Sequence, residues 1–387
     1  MIKQIAVTDL EIGMYITSAS NSWIPGKNKR QEGFIRSEDT ITQVQCLGVP
    51  EVFIDTVKGK DSPKAKPIEQ DFNEAIAVVA KVHGEAKGLV SNLLDSTKVG
   101  GELDVKGAEK TTNQMVAALK VNTDAMLCMG RIRHKDEYLL EHSVNVATLM
   151  GILASHMGFD DDVQHQLVMG GLLHDVGKIM VPDEILHKPG KLEAEEWEEM
   201  KRHVEYGQVT LERTPGLSPI VKSICGLHHE RLDGSGYPGG LSAEEITIYG
   251  RMASIVDVYD AVTADRVYHK GMAPTDALRK LVEWSGDHLD KELVYQFIRA
   301  ISVYPSGSVV QLDNGLVGYV CEGNRKNPDR PTIDVFYDAS KKQPIERDRI
   351  DLGAGFSERK IVKAVDEKEF GIRLDDVVVP NPWPKDV

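Results

Sequence analysis

The chain has 387 residues, 41% hydrophobic and 27% charged, enough for two or three domains with a sizeable core. With 46 basic against 60 acidic side chains its net charge is −14, which disfavours general binding to nucleic acid polymers or anionic membranes, so attraction for an anionic ligand must be local. No apolar run approaches the length of a membrane span, the start lacks a basic-then-apolar signal pattern, and Cys46, Cys128, Cys225 and Cys321 form no Cys-x-x-Cys pair. The chain is expected in the cytoplasm, with its cysteines as buried apolar filler.

Residues 1–56 read as short strands and turns, with a turn at Glu11–Gly13 and a β-rich run in "VPEVFID". The Lys-, Pro- and Ser-rich "VKGKDSPKAKP" (57–67) reads as a linker, so a β-rich N-terminal module is predicted over 1–60. From Ile68 the period changes: Phe72, Ile76, Val79, Leu89, Val90, Leu93 and Leu94 recur at helical spacing, and "TTNQMVAALKVNTDAMLCMG" continues helical after "VGGELD". These are connecting helices over 61–130, whose apolar face is expected against the protein's own core, with a homodimer contact as the alternative.

Residues 139–301 are helix after helix, broken at Gly158, Pro182, Pro189–Gly190, Pro215–Gly216 and Pro274. The acidic run "EAEEWEEMKRH" reads as the solvated face of one of them. Beyond Tyr304–Pro305, "SVVQLDNGLVGYVC" and "TIDVFYDA" alternate as strands around an Asn-Gly turn. The predicted fold is mainly α, a helical bundle over 131–302, with small β-rich modules at 1–60 and 303–387.

Histidine and aspartate carry the chemistry. His174–Asp175 ends the apolar helix "LVMGGLLHDVGK", His203 lies in the next amphipathic helix, His228–His229 end another, and His142 sits in "EHSVNVA". Asp257 lies in the mostly apolar "ASIVDVYDAVTAD", where an unpaired carboxylate is costly. A cation compensates such a group, and imidazole with carboxylate suits Zn, Mn or Fe. Asp175 can offer both oxygens and so bridge two metals, with His142, His174 and Asp257 on one side and His203, His228 and His229 on the other. A lone His-Asp pair means almost nothing; the ordered set spread over different helices is specific. His134, His156, His165, His187 and His288 lack such a context.

The stretch "HHERLDGSGYPGGL" (228–241) then reads as two ligands followed by a stiff loop. Asp233–Gly234 turns the chain, and the glycines let Tyr237 come close to a bound ligand. The alternative is a plain turn with Tyr237 packed as core.

"HDVGK", His203, "HHERLDGSGYP" and "DVYDAVTADRVY" resemble the HD-GYP subfamily of the HD metal-dependent phosphohydrolases over residues 130–300. "DLEIGMYI" and "LGVPEVFID" resemble the uncharacterised small domain often found ahead of HD-GYP domains in bacteria. The resemblance implies hydrolysis of a cyclic dinucleotide, chiefly cyclic di-GMP, to its linear form. It makes His142, His174, Asp175, His203, His228, His229 and Asp257 metal ligands, puts Gly236, Tyr237 and Pro238 in the signature loop with Asp233 before them, and sets Lys178 and Arg266 beside the phosphates. Lys178, three residues after Asp175, is suited to stabilising transition-state charge.

Three-metal members carry a Glu four residues before the first ligand His, and Tyr138 stands there. Glu137 and Glu141 are neighbours, but one helical step turns a side chain by about 100°, so two divalent metals, Fe or Mn, are expected. After Arg266 the family continues with Pro, Tyr and a basic residue; this chain has Val267, Tyr268 and His269, with Lys270 next as a substitute phosphate contact. The partners this reading allows are a cyclic dinucleotide, a diguanylate-cyclase-type protein and a second copy of the chain. Competing readings are a phosphodiesterase for cyclic GMP-AMP, a non-catalytic receptor or interaction module, and an HD enzyme acting on alarmones, the last disfavoured by the GYP loop.

Overall fold

In a computed structural model, the described residues are 2–16, 33–46, 51–56, 58–67, 72–98, 103–133, 137–265, 270–324, 326–354 and 358–378. They divide into two units, Met1–Asp71 and Phe72–Val387.

In the first unit, β1 (Ile2–Ala6), β2 (Tyr15–Ile16), β3 (Gly33–Phe34), α1 (Glu38–Gln45), β4 (Glu51–Asp55) and β5 (Lys66–Pro67) form a five-stranded sheet ordered β3-β2-β4-β1-β5. Ile5, Met14, Ile35, Ile41, Val52 and Ile54 make its core. Alternation in β4 turns Val52 and Ile54 inward. The stretch that reads as a linker contributes β5, which pairs antiparallel with β1. One cysteine departs from expectation: Cys46, at the C-terminal cap of α1, is exposed, whereas Cys128, Cys225 and Cys321 are buried.

The second unit opens with α2 (Phe72–Lys98), α3 (Val105–Val121) and α4 (Thr123–Met129). Phe72, Ile76, Val79, Val90 and Leu94 are buried in the unit's own main core, and Leu93 in a smaller one. The apolar stripe of α2 is thus used within the chain. The helical body continues through α5 (Tyr138–His156), α6 (Asp161–Leu173), a 3-10 turn (Val176–Met180), α7 (Asp183–Leu186), α8 (Ala194–Lys201), α9 (His203–Glu212), α10 (Pro219–Leu227), α11 (Ile248–Thr263), α12 (Pro274–Trp284) and α13 (Lys291–Ile301). Fourteen consecutive residues of α5, Glu141–Ala154, are buried, the mark of a central helix surrounded by others.

A second antiparallel sheet follows, from β6 (Val309–Leu312), β7 (Leu316–Glu322), β8 (Thr332–Asp338), β9 (Gln343–Asp351) and β10 (Ile361–Ala364), ordered β10-β6-β7-β8-β9, before a short α14 (Leu374–Val378). It joins the helices through a shared core, where Phe72 meets Tyr319 at 6.1 Å. Asp124 of α4 also accepts from Ser306 Oγ at 2.5 Å and Gly323 N at 3.2 Å. The mainly α fold with small β-rich modules at both ends is the one the sequence predicts.

Candidate metal centre

Five elements meet at Asp175. α5 brings His142, the end of α6 brings His174, α9 opens with His203, α10 ends at His228 and α11 carries Asp257. The 3-10 turn after Asp175 lies tight on α9: a Cβ on Gly177 would stand 2.0 Å from His203 O and 2.4 Å from Gly207 N, both backbone. Only glycine allows that approach, and it holds His203 against Asp175.

The carboxylate of Asp175 faces two ways. Its Oδ2 lies 3.3 Å from Nε2 of both His142 and His174, while Oδ1 lies 3.4 Å from His203 Nε2 and 3.7 Å from His228 Nε2. Asp257 Oδ1 is 3.0 Å from His142 Nε2, and its Oδ2 is 3.6 Å from His229 Nδ1. Two groups of converging donor atoms result: His142, His174 and Asp257, and Asp175, His203, His228 and His229. All seven are the residues expected as ligands, divided as expected, with Asp175 between the halves.

The outer nitrogens of the imidazoles fix which nitrogen faces inward. Nδ1 of His174, His203 and His228 donates to Gly171 O, Met200 O and Cys225 O at 2.8, 2.7 and 2.9 Å. His142 Nδ1 instead donates to Asp260 Oδ2 at 2.8 Å. Each neutral ring then presents an Nε2 lone pair to the centre. Burial lowers the pKa of His174 and drives that of His203 down to about 3; burial and His228 push His229 well down. Burial alone would raise Asp175 and Asp257, yet His174 and Lys178 hold the first, and His142 and His229 the second, well below the carboxylate range. His142 differs: burial opposes its charge, but Tyr138, Asp175, Asp257 and Asp260 raise its pKa well above the usual value.

These residues fit divalent cations. Asp175 Oδ1 is buried with no hydrogen-bond partner, a costly state unless a cation satisfies it. The Nε2 pair of His142 and His174 is separated by 3.3 Å, and that of His203 and His228 by 3.4 Å. In neutral rings whose Nδ1 carries the proton, lone pairs so close repel, whereas two imidazoles at about 2.0–2.1 Å from one cation in roughly tetrahedral array stand about this far apart.

Around the centre, Lys178 Nζ donates to Asp175 Oδ2 at 2.5 Å, and its pKa is raised, Asp175 outweighing the burial that opposes its charge. Tyr237 packs its ring 4.6 Å from that of His229, with its backbone N donating to His229 O at 3.1 Å. A Cβ on Gly236 would stand 2.4 Å from Arg231 N and 2.5 Å from Glu230 Cα, so the loop folds onto its own start only with glycine there. Pro238 is exposed. Asp233, also exposed, accepts from Ser235 N and Oγ at 3.0 and 2.7 Å, with His288 Nε2 3.5 Å away; it shapes the loop. Lys270 pairs with Asp366 at 2.6 Å. It lines a cleft of about 810 Å³ between the helices and the C-terminal sheet, which none of the seven clustered residues lines. Arg266 and His269 lie outside the described residues.

Tyr138 stacks on His142 with centroids 5.7 Å apart and planes 12° apart. Glu141 lies 3.7 Å from Lys87, which also pairs with Glu137. Among the described residues neither glutamate joins a cluster of potential ligands.

Two residues escape the sequence reading. Asp260 orients His142 and is held by Arg133 Nη2 at 2.5 Å; a second aspartate one turn after Asp257 in an apolar helix was its signal. Glu230 is buried and accepts from Gly239 N at 2.6 Å and Leu241 N at 3.0 Å, tying down the far end of the loop. Its place after His228–His229 was visible, but its backbone partners were not.

The chain also matches known proteins. The family model described as HD domain matches residues 127–293, a domain of unknown function (DUF3391) matches 2–108, and a KOW domain associated with HD domain matches 309–372. A Pseudomonas aeruginosa protein named cyclic di-GMP phosphodiesterase PA4108 is 35% identical over 378 residues, covering 93% of this chain and 91% of its own. The chain belongs to the HD-GYP family. Other relatives match over shorter spans. The 3'3'-cGAMP-specific phosphodiesterase 2 of Vibrio cholerae is 41% identical over 154 residues, 40% of this chain and 30% of that one. A cyclic di-GMP phosphodiesterase of Thermotoga maritima is 37% identical over 169 residues, 43% of this chain and 45% of that one.

Proposed function

We propose that the protein is a metal-dependent phosphodiesterase that opens cyclic di-GMP to its linear dinucleotide. The observation that carries this reading is the position of Asp175, with one oxygen toward His142 and His174 and the other toward His203 and His228. The name of the relative aligned over 93% of the chain supports the choice of cyclic di-GMP. Cyclic GMP-AMP is the second candidate, on the names of relatives matched through the helical domain alone. A receptor without activity has no need of seven intact ligating residues.

His142, His174 and Asp257 would hold one divalent ion, and His203, His228 and His229 the other, with Asp175 shared; Fe and Mn are the metals proposed. When bound, such a pair supplies Lewis acidity toward phosphoryl oxygens and makes water a competent nucleophile near neutral pH. The protein's own groups do the rest. The Nδ1–H bonds of His142, His174, His203 and His228 keep each ring's Nε2 turned inward. Lys178 keeps its proton and can donate it in a hydrogen bond to a phosphoryl or leaving oxygen, where charge grows in the transition state. Tyr237, on the ring of His229, walls one side of the centre. Arg266, His269 and Lys270 are proposed as phosphate contacts.

The helical domain is taken as 131–302 and the compartment as the cytoplasm, where free thiols stay reduced. Among the described residues no helix is long and apolar enough to cross a membrane. A diguanylate-cyclase-type partner or a second copy of the chain would have to use surfaces other than the α2 stripe. The deciding experiment incubates metal-loaded protein with a panel of cyclic di-GMP, cyclic GMP-AMP and linear nucleotides and separates the products by chromatography. Linear product from cyclic di-GMP at the highest kcat/KM is the expected result; preference for cyclic GMP-AMP would move the assignment, and no linear product from any ring would overturn it.

A further inference from the structure

The acidic helix α8 reads in sequence as a solvated face, and none of its residues is buried. Its tryptophan does not fit that description. Trp197 is 45% exposed, and its ring meets Tyr237 edge-to-face, centroids 6.1 Å apart and planes at 81°. Tyr237 in turn lies on His229. A run of rings, His229, Tyr237 and Trp197, therefore leads outward from the metal centre and ends in an indole open to solvent. One turn after Trp197, Lys201 places its ammonium 5.9 Å from the centre of the Tyr237 ring. The helix is fixed in place, since Glu193 and Glu196 cap its start reciprocally and His203 follows its end.

An exposed apolar side chain standing alone carries no message. This one adjoins the signature loop and the ligand His229, and a large flat ring open at the rim of a phosphodiester site suits the face of a nucleobase. Stacking on an aromatic ring is available to any base, and Lys201, paired with Glu198 at 2.8 Å, stands beside the ring. Resting on the cyclic-dinucleotide reading above, we propose that Trp197 is a stacking platform for one purine of the substrate. The alternative for the same geometry is a shield that only keeps water from Tyr237.

The test uses full-length, metal-loaded protein as wild type, Trp197→Ala and Trp197→Phe. A platform predicts that Trp197→Ala raises KM for cyclic di-GMP about tenfold or more while kcat changes far less, and that Trp197→Phe restores most of the affinity. It also predicts that mixing wild type with cyclic di-GMP in stopped flow quenches tryptophan fluorescence before turnover, and that this quench is lost in Trp197→Phe although three other tryptophans remain of the four. An unchanged KM in Trp197→Ala overturns the proposal. So does a fall in kcat without a rise in KM, the result a shield would give. Wild-type protein that binds with quenching but yields no linear product leaves the platform standing and sinks the enzymatic reading; wild type that neither binds nor cleaves overturns both.

Discussion

Asp260 Oδ2 accepts the Nδ1 proton of His142 at 2.8 Å, and Arg133 holds the same carboxylate from the other side, its Nη2 at 2.5 Å from Oδ1. The outer nitrogens of His174, His203 and His228 lean instead on neutral backbone carbonyls. An anionic acceptor makes His142 the stronger donor toward a cation and fixes its tautomer. Asp260→Ala should therefore weaken the half-site of His142, His174 and Asp257 by about 10- to 100-fold in metal affinity and leave the other half-site close to wild type. Metal titration followed by elemental analysis should find one tightly held ion where two are expected for wild type, with far-ultraviolet circular dichroism unchanged. Equal loss from both half-sites would show that Asp260 acts on the fold and not on His142.

Asp175 faces both half-sites, one oxygen toward each, so its removal should not resemble that of Asp260. Asp175→Ala is expected to lose both ions together and to lower phosphodiesterase activity by about 10³-fold or more, the scale at which loss of a central electrostatic group is felt. The variant should remain folded, because the surrounding helices are packed through residues such as Val146, Leu172 and Ile224, not through the carboxylate. Turnover near wild type in a protein whose metal content has been measured would refute the bridging role.

Much of this centre was legible because each candidate ligand sits beside a helix end or in an apolar helix where a charged or polar group needs a reason. His142, His174, His203, His228 and Asp257 come from five elements, and the sequence order of the motifs sufficed to group them. What sequence could not supply were contacts between distant positions. Arg133 lies 127 residues from Asp260, and nothing local to either announces the pair. Strand alternation revealed the C-terminal strands but not their order, in which β10 returns to the edge beside β6. The stretch 57–67 read as a linker because Lys, Pro and Ser dominate it; two residues of it nevertheless pair with β1, since a strand at a sheet edge needs only backbone partners. Cys46 was misjudged for a similar reason: composition favours buried cysteines, but a helix cap at the surface needs no apolar side chain.

The loop from Glu230 to Leu241 offers a test of close packing. A methyl group at position 236 would meet backbone atoms of Arg231 and Glu230 at 2.4 and 2.5 Å, and backbone cannot rotate away as a side chain can. Gly236→Ala should push the loop outward and carry Tyr237 off His229. A displacement of about 1 Å near the reacting centre costs on the order of 10²-fold in rate, so kcat/KM should fall by that scale. Metal content should hold, since none of the seven clustered residues lies beyond His229 in the loop. A variant with normal kinetics would mean that Tyr237 does not contribute to turnover.

His83, in α2, gives the chain a dependence on acid that is separate from the metal centre. It is buried, its Nε2 has no hydrogen-bond partner, and burial, aided by the charge of Lys87, depresses its pKa from 6.5 to about 4. Above pH 6.5 the ring is neutral in both folded and unfolded chains and exerts no pull on the equilibrium. As pH falls below that value the unfolded chain takes up a proton that the folded chain refuses, so stability declines until the folded pKa is reached. Between pH 7.5 and pH 5 this costs about 2 kcal/mol, and on the order of 3 kcal/mol once the pH nears the folded pKa. His83→Gln removes the titration but keeps a polar side chain. Urea unfolding of both proteins at the two pH values separates this effect from carboxylates and metal ligands, which titrate equally in each. The wild type should lose about 2 kcal/mol more than the variant on going to pH 5; equal losses would mean that His83 is protonated, and satisfied, inside the folded chain.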